Sequence, residues 1–320
     1  DVVTLTFTAN VAINTPVVVF QSGGAAVENR LGNGSGITYA HLGSNQWIAF
    51  YTAHANDADG EISYNLTATT QGTSNSSTFT GDGVTFDDIA PSLSTVTILS
   101  NNTTSTSMTT NLNEVTLSYT SNETLSAAPT VVFTSGGAAV VNRLGNGSQI
   151  AYTDDGSGNY TARYISDTND TDGAVGYTIT FSDRAGNSGV AVTGPTNASS
   201  VTHDGTAPTL SNYVITSDNT PNTRANGGDR VTLAFRSNEA IATPSVVFTT
   251  NGNNVVENRL GNGSTPNPVY ANPNGDKKNW TATYIVYADA TTPANSDTDG
   301  LVRYQITFNN LAGISGAQIT

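Results

Sequence analysis

Apolar residues along this chain alternate with polar ones instead of recurring every three or four positions. Val3, Leu5 and Phe7 lie two apart, as do Val115, Leu117 and Tyr119, and again Val231, Leu233 and Phe235. Successive strand side chains point to opposite faces, so a period of two predicts strands buried on one side. The pattern continues in Trp47–Tyr51, Tyr160–Tyr164 and Trp280–Tyr284, then in Tyr64-Asn65-Leu66, Tyr177–Phe181 and Tyr304–Phe308. No segment sustains a helical period. Thr, Val and Tyr between Gly, Asn and Asp turns predict an all-β chain of short strands.

These strands belong to copies of one unit. The stretch Asn29-Arg30-Leu31-Gly32-Asn33-Gly34 returns at 142–147 and 258–263, at spacings of 113 and 116 residues. A second marker, Ala90-Pro91-Ser92-Leu93, returns as Ala207-Pro208-Thr209-Leu210 after 117 residues. Independent markers with one period define a tandem array. We divide it into modules 1–88, 89–205 and 206–320, each long enough for its own core, and expect a seven-strand sandwich in each. The phase leaves module 1 without a counterpart of Thr95–Leu99 and module 3 without a counterpart of Val201–Asp204. Two expectations follow: excision from a longer array, or a strand supplied by another subunit to an open sheet edge, giving a filament by strand exchange.

Composition narrows the chemistry. With no cysteine there is no disulfide, thiolate site or Cys nucleophile. A net charge of −14 repels phosphate backbones and anionic membrane surfaces, so nucleic-acid partners are not expected, and hard cations are the natural counter-charge. No window approaches the roughly 18 consecutive apolar residues of a spanning helix, so membrane insertion is not expected either. His41, His54 and His203 occupy non-equivalent repeat positions, and no nucleophile triad, His-metal pair or phosphate loop accompanies them, so we expect no enzyme.

Several stretches carry a resemblance. Ser121-Asn122-Glu123, Asp170-Thr171-Asp172-Gly173, Ser182-Asp183-Arg184-Ala185-Gly186-Asn187 and Asp204-Gly205-Thr206-Ala207-Pro208-Thr209 resemble the bacterial immunoglobulin-like repeats of large cell-surface adhesins. Module 1 departs from the pattern: Val11 stands at the Glu position and Thr69–Gly72 replaces the Asp-x-Ala-Gly stretch, while module 3 keeps Glu239 but carries Asn310 at the Asp position. The resemblance implies three tandem immunoglobulin-like sandwiches in an elongated rod, extracellular and on a cell surface, often stiffened by calcium where modules meet.

That topology brings particular acids to each boundary. Asp57, Asp59, Asp87, Asp88, Glu123 and Asp183 should converge at the first. Asp170, Asp172, Asp204, Glu239 and the side-chain carbonyl of Asn310 should converge at the second. Two bare carboxylates about 4 Å apart repel by roughly 4 kcal/mol at an effective dielectric near 20. Ca2+, with about six to eight oxygen ligands in flexible geometry, would relieve that repulsion. Solvated turns are the competing reading, and the Asp-x-Asp-Gly spacing is not that of an EF-hand.

Other features read as scaffold first. Gly-Asn-Gly suits a tight turn, although an Arg beside Asn could also grip a carboxylate or sugar. Tyr39, Tyr152 and Tyr270, with Trp47, Tyr160 and Trp280, read as core before they read as a sugar platform. Sequons at Asn33, Asn65, Asn102, Asn146, Asn159, Asn262 and Asn279 allow glycosylation without requiring it. The leading expectation is a structural spacer of a stalk, fibre or adhesin, partnered by neighbouring modules or other subunits. The alternative is an array gripping a surface glycan or protein through module 3, whose insertions run from Thr265 to Lys278 and from Ala288 to Ala294.

Overall fold

A computed structural model of the chain describes residues 1–27, 37–70, 73–79, 83–140, 150–252, 254–255, 268–288 and 297–320. The three Asn-Arg-Leu-Gly-Asn-Gly stretches, with sequons Asn33, Asn146 and Asn262, lie outside these residues, as do Gln71-Gly72 and 265–267 and 289–294 of the third-module insertions. Every regular element described is a strand, and no helix is long and apolar enough to cross a membrane.

The first module contributes β1 (Val2–Thr8), β2 (Val17–Ser22), β3 (Ala25–Ala26), β4 (Thr38–Gly43), β5 (Gln46–Thr52), β6 (Gly60–Thr70), β7 (Thr73–Phe79) and β8 (Thr85–Phe86). They form one sheet in the order β1-β5-β4 and another in the order β3-β2-β6-β7, with β8 also on β6. The second module contributes β9 (Leu93–Ser100), β10 (Met108–Thr109), β11 (Glu114–Ser121), β12 (Thr130–Ser135), β13 (Ala138–Ala139), β14 (Ala151–Asp154), β15 (Asn159–Ile165), β16 (Gly173–Thr180) and β17 (Thr202–His203). Their orders are β14-β15-β11-β9 and β10-β17-β16-β12-β13. The third adds β18 (Leu210–Ser217), β19 (Arg230–Ser237), β20 (Ser245–Thr250), β21 (Asn254–Val255), β22 (Val269–Ala271), β23 (Asn279–Ile285) and β24 (Val302–Thr307), ordered β18-β19-β23-β22 and β21-β20-β24. The chain is thus a tandem series of two-sheet sandwiches.

Compactness groups the chain differently, into two units. One is Asp1–Ser92 with Ser121–Thr130 and Thr180–Ala191; the other is Leu93–Thr120, Val131–Ile179 and Val192–Thr320. In the first unit Val18, Phe20, Val27, Ala49, Tyr51 and Ile62 form a core, against which Val3, Leu5 and Phe7 pack. In the second unit Val231, Leu233, Phe235, Ile241, Val246, Phe248, Trp280, Ala282, Tyr284, Ile306 and Phe308 form another.

One contact joins the sheets in every copy. Phe20 meets Tyr51 at 4.8 Å between ring centroids, Phe133 meets Tyr164 at 4.8 Å and Phe248 meets Tyr284 at 4.7 Å. The rings are inclined by 42–43°, which avoids the unfavourable face-to-face sandwich. Beside it, a tyrosine of β4, β14 or β22 reaches across to the other sheet. Tyr39, Tyr152 and Tyr270 hydroxyl oxygens accept the backbone N–H of Val18, Val131 and Val246 at 2.9, 3.0 and 2.8 Å. These tyrosines are therefore struts between the sheets.

The first sheet differs in module 1. β11 and β19 are flanked by β9 and β18, whereas among the described residues β1 pairs with β5 alone. Val115, Leu117, Val231 and Leu233 are accordingly buried, while Val3, Leu5 and Phe7 stay half-exposed. Leu117→Ala and Leu233→Ala should each cost about 2–5 kcal/mol, the usual range for a buried leucine. Leu5→Ala should cost less than either. Urea unfolding followed by circular dichroism checks this; an equal loss at Leu5 would mean that β1 is covered in solution.

Candidate functional site

The acids of the Asp-x-Asp-Gly stretches divide by position. Asp57 N–H donates to the His54 carbonyl at 2.8 Å while its Oδ2 accepts His54 N–H at 2.9 Å. Asp170 repeats this with Asp167 at 3.0 and 2.9 Å, and Asp297 with Tyr287 at 2.8 and 2.8 Å. The first acid is thus a staple closing the turn before β6, β16 or β24. Asp57 and Asp170 were expected among cation ligands; the structure gives them turn bonds and does not bring them into the carboxylate group described below. Asp297 was missed, because an insertion separates it from Tyr287, although Asp297-Thr298-Asp299-Gly300 is identical to Asp170-Thr171-Asp172-Gly173. The glycine has its own reason: Gly60 and Gly173 have φ of +137° and +140°, and a Cβ on either would lie 2.7–2.8 Å from the Cα of Gly23 or Gly136.

The second acid clamps the segment that leads out of the module. Asp59 Oδ1 accepts the N–H of Asp88 at 2.9 Å. Asp172 Oδ1 accepts the N–H of Gly205 at 2.6 Å and lies 3.2 Å from Nδ1 of His203, while Oδ2 accepts the Thr206 hydroxyl at 2.5 Å. Burial opposes the charge of Asp172, but these bonds and the imidazole hold its carboxyl below the ordinary range. Asp88 enters through its backbone, and its side chain is exposed.

Three other carboxylates meet in the first unit. One oxygen each of Asp87, Glu123 and Asp183 lies within 4.8 Å of the others. Asp87 follows β8 and its carbonyl accepts the Asn187 side-chain N–H at 2.9 Å. Glu123 follows β11, its N–H donating to Ser121 Oγ at 3.3 Å. Asp183 is buried, bridged to Leu125 across the backbone. Its Oδ1 accepts the N–H groups of Gly186 and Asn187 at 2.7 and 2.9 Å, and its Oδ2 accepts Asn187 Nδ2 at 2.8 Å. Burial works against that charge, yet the bonds from Asn187 and Gly186 prevail and keep Asp183 ionised below the usual range. Glu123 goes the other way, pushed up by burial and then by the charges of Asp87 and Asp183.

The second unit holds the equivalent constellation with one exchange. Asp204 stands for Asp87, Glu239 for Glu123 and Asn310 for Asp183. Asn310 is fully buried, and its Oδ1 accepts the N–H groups of Ala312 and Ile314 at 3.1 and 2.8 Å. Its Nδ2 donates to Asp204 Oδ2 at 3.0 Å and to the Thr206 carbonyl at 3.1 Å. The carbonyl expected to face a cation is therefore turned into its own loop, and the amide nitrogen faces the carboxylate. Glu239 Oε1 is buried without a hydrogen-bond partner. Burial first, then the charge of Asp204, a bond to it and the charge of Asp172 push Glu239 up to about 7, against the pull of Lys278.

Neither a protein-family model nor a curated protein matches this chain. Among solved structures it is similar to a three-domain segment of titin, at 13% identity over 99% of this chain and 90% of that one, with a TM-score of 0.34. It is also similar to the N-terminal eight immunoglobulin domains of Down syndrome cell adhesion molecule, at 12% identity over 100% of this chain and 34% of that one, TM-score 0.27. A third is a protein of Corynebacterium diphtheriae described as membrane anchored, at 14% identity over 99% and 83%, TM-score 0.24. These likenesses concern the immunoglobulin-like sandwich alone.

The histidines have places in the fold. His41 packs against Trp47 with ring centroids 4.6 Å apart, His54 Nδ1 accepts the Asn56 N–H at 3.1 Å, and His203 is buried beside Asp172. Of the sequons, Asn102 is buried, its amide donating to Asn113 Oδ1 and the Ala312 carbonyl at 3.1 and 3.0 Å, so the folded chain does not present it for glycosylation.

The raised value of Glu239 has a pH consequence. The folded state holds this proton more tightly than the unfolded chain, so the proton's contribution is complete below about 4.5 and is lost as pH rises through about 7. In chelator, the melting temperature of the parent should fall relative to Glu239→Gln between those values and run parallel to it above them. Parallel curves throughout would show that Glu239 carries an ordinary carboxyl.

Proposed function

We propose that this chain is a non-enzymatic structural repeat array of a cell-surface stalk, fibre or adhesin, and that calcium at the Asp87, Glu123 and Asp183 cluster ties consecutive repeats together. The observation that carries the reading is the meeting of those three carboxylates from three separate segments of the chain. The donor set is hard oxygen throughout, which suits calcium and disfavours softer metals. Asp183 is held ionised while Glu123 resists ionisation beside it, so the group is short of positive charge. Asp59, whose charge also reaches Glu123, adds to that shortage.

In the second constellation the Asn310 amide supplies a donor where the first has a third charge. Asp172, Asp204 and Glu239 would therefore hold a cation more weakly, and a proton shared by Glu239 and Asp204 relieves part of their repulsion. The resemblance to bacterial immunoglobulin-like surface repeats supports an extracellular location. Partners would be neighbouring repeats or further subunits. A cleft in the third module favours a ligand-binding array as a second reading.

Calcium titration of chelated protein tests the main reading. A cation that binds only the folded state stabilises it by about 2.7 kcal/mol at a hundredfold excess over Kd. The melting temperature should rise with calcium, Glu123→Gln should lose most of that rise, and Glu239→Gln should lose little. A melting curve and a scattering profile unchanged between calcium and chelator would sink the cation reading. A reproducible turnover abolished by one Asp or Glu substitution would overturn the non-enzymatic one.

A further inference from the structure

We propose that a cleft in the third module binds a carboxylate-bearing sugar residue, with Arg236 as its anchor. This deepens the ligand-binding reading and is independent of the cation. The cleft has a volume of about 270 Å³ and is lined by Asn212, Phe235, Arg236, Pro273, Asn279 and Trp280 among others. At the same place in the second module side-chain hydroxyls bridge the strands. There Thr95 and Thr120 hydroxyls are bonded at 2.7 Å, and the Thr120 hydroxyl donates to Asn159 Oδ1 at 2.9 Å. Thr120 faces Asn159 across β11 and β15 as Arg236 faces Asn279 across β19 and β23. Thr95 and Asn212 also correspond, both with left-handed backbone, φ +49° and +55°.

The turn beside the cleft is longer in the third copy. Asn279 Nδ2 donates to Asp276 Oδ2 at 2.6 Å, as Asn159 Nδ2 does to Asp155 Oδ2 at 2.8 Å, but here Asn272 Nδ2 also bonds the Asn279 carbonyl at 2.7 Å. That loop carries Pro273 to the rim. Thr120 is replaced by Arg236, exposed and without an ion pair or side-chain hydrogen bond among the described residues. Seven of the eleven Lys and Arg residues of this acidic chain fall within 206–320, so an anion meets the least repulsion here.

The lining specifies the ligand. A guanidinium presents two parallel N–H groups to a carboxylate. Trp280 belongs to the buried core and its Nε1 donates to the Lys277 carbonyl at 3.0 Å, so the carbon surface offered to the C–H face of a ring is that of Pro273. Asn212 and Thr281 offer polar groups to hydroxyls. The volume lies just below the roughly 300 Å³ at which sites for drug-sized ligands begin, a size for one ring.

Saturation-transfer NMR and calorimetry on the full chain, with glucuronic acid and N-acetylneuraminic acid as probes, test the assignment. Glucose is the neutral control and a glutamate-containing tripeptide the non-sugar carboxylate control. At least one acid sugar should bind at least tenfold more tightly than glucose, more weakly at higher salt. Arg236→Ala, an exposed change checked by an unchanged melting curve, should abolish the preference and Arg236→Lys should restore part of it. Chelator should change none of this, which separates failure here from failure of the cation reading. Equal binding of glucose and both acid sugars, an Arg236→Ala variant that binds like the parent, loss of binding in chelator, or equal binding of the tripeptide would each overturn the proposal.

Discussion

Everything placed in this molecule is placed relative to the aromatic pair that joins the two sheets of each copy. Phe20 with Tyr51, Phe133 with Tyr164 and Phe248 with Tyr284 repeat one geometry at nearly one distance. Sheet stacking sets which strand ends share an end of the sandwich, and therefore which loops can meet. The struts from Tyr39, Tyr152 and Tyr270 fix the lateral offset, since each hydroxyl must find one backbone N–H on the opposite sheet. With both constraints satisfied three times, the loop after β11 and the turn before Gly186 meet the segment after β8 in one unit, and their equivalents meet in the other.

The strands were legible because burial imposes a period of two on them, and alternation in Val115–Tyr119 or Val231–Phe235 survives any drift of individual residues. The acids were legible as a set and not as individuals. Topology brings Asp57, Asp59 and Asp87 to one end, but it does not say which carboxylate is consumed by its own turn. Asp57 and Asp170 answer to hydrogen bonds spanning three residues, a range at which Asp side chains compete with any distant partner. The Asn310 carbonyl was misdirected for a related reason. Its loop supplies two N–H groups that must be satisfied in a buried place, and they take the oxygen, leaving the nitrogen to face Asp204.

The cleft beside Arg236 was only half visible. Sequence comparison marks the insertion from Asn272 to Lys278 as unusual, yet the decisive event is the loss of a hydroxyl chain, Thr95 to Thr120 to Asn159, which only geometry reveals. A repeat array is informative here because the hydroxyl-bridged copy is the control for the one with the cleft.

The exchange of Asp183 for Asn310 shows how one fold can solve the same boundary in two ways. Both side chains are buried, and both use an oxygen to satisfy the N–H groups of the loop that follows. The loop's demand is therefore met equally well by a carboxylate or an amide. What differs is the group left over: a second carboxylate oxygen bonded within its own loop at Asn187, against an N–H that reaches Asp204. An anion in that position adds to the repulsion among Asp87 and Glu123, whereas an amide subtracts from it between Asp204 and Glu239. The loop geometry can therefore be kept while the group presented to the boundary changes from an anion to an N–H donor, which removes one negative charge there without removing the repulsion between Asp204 and Glu239.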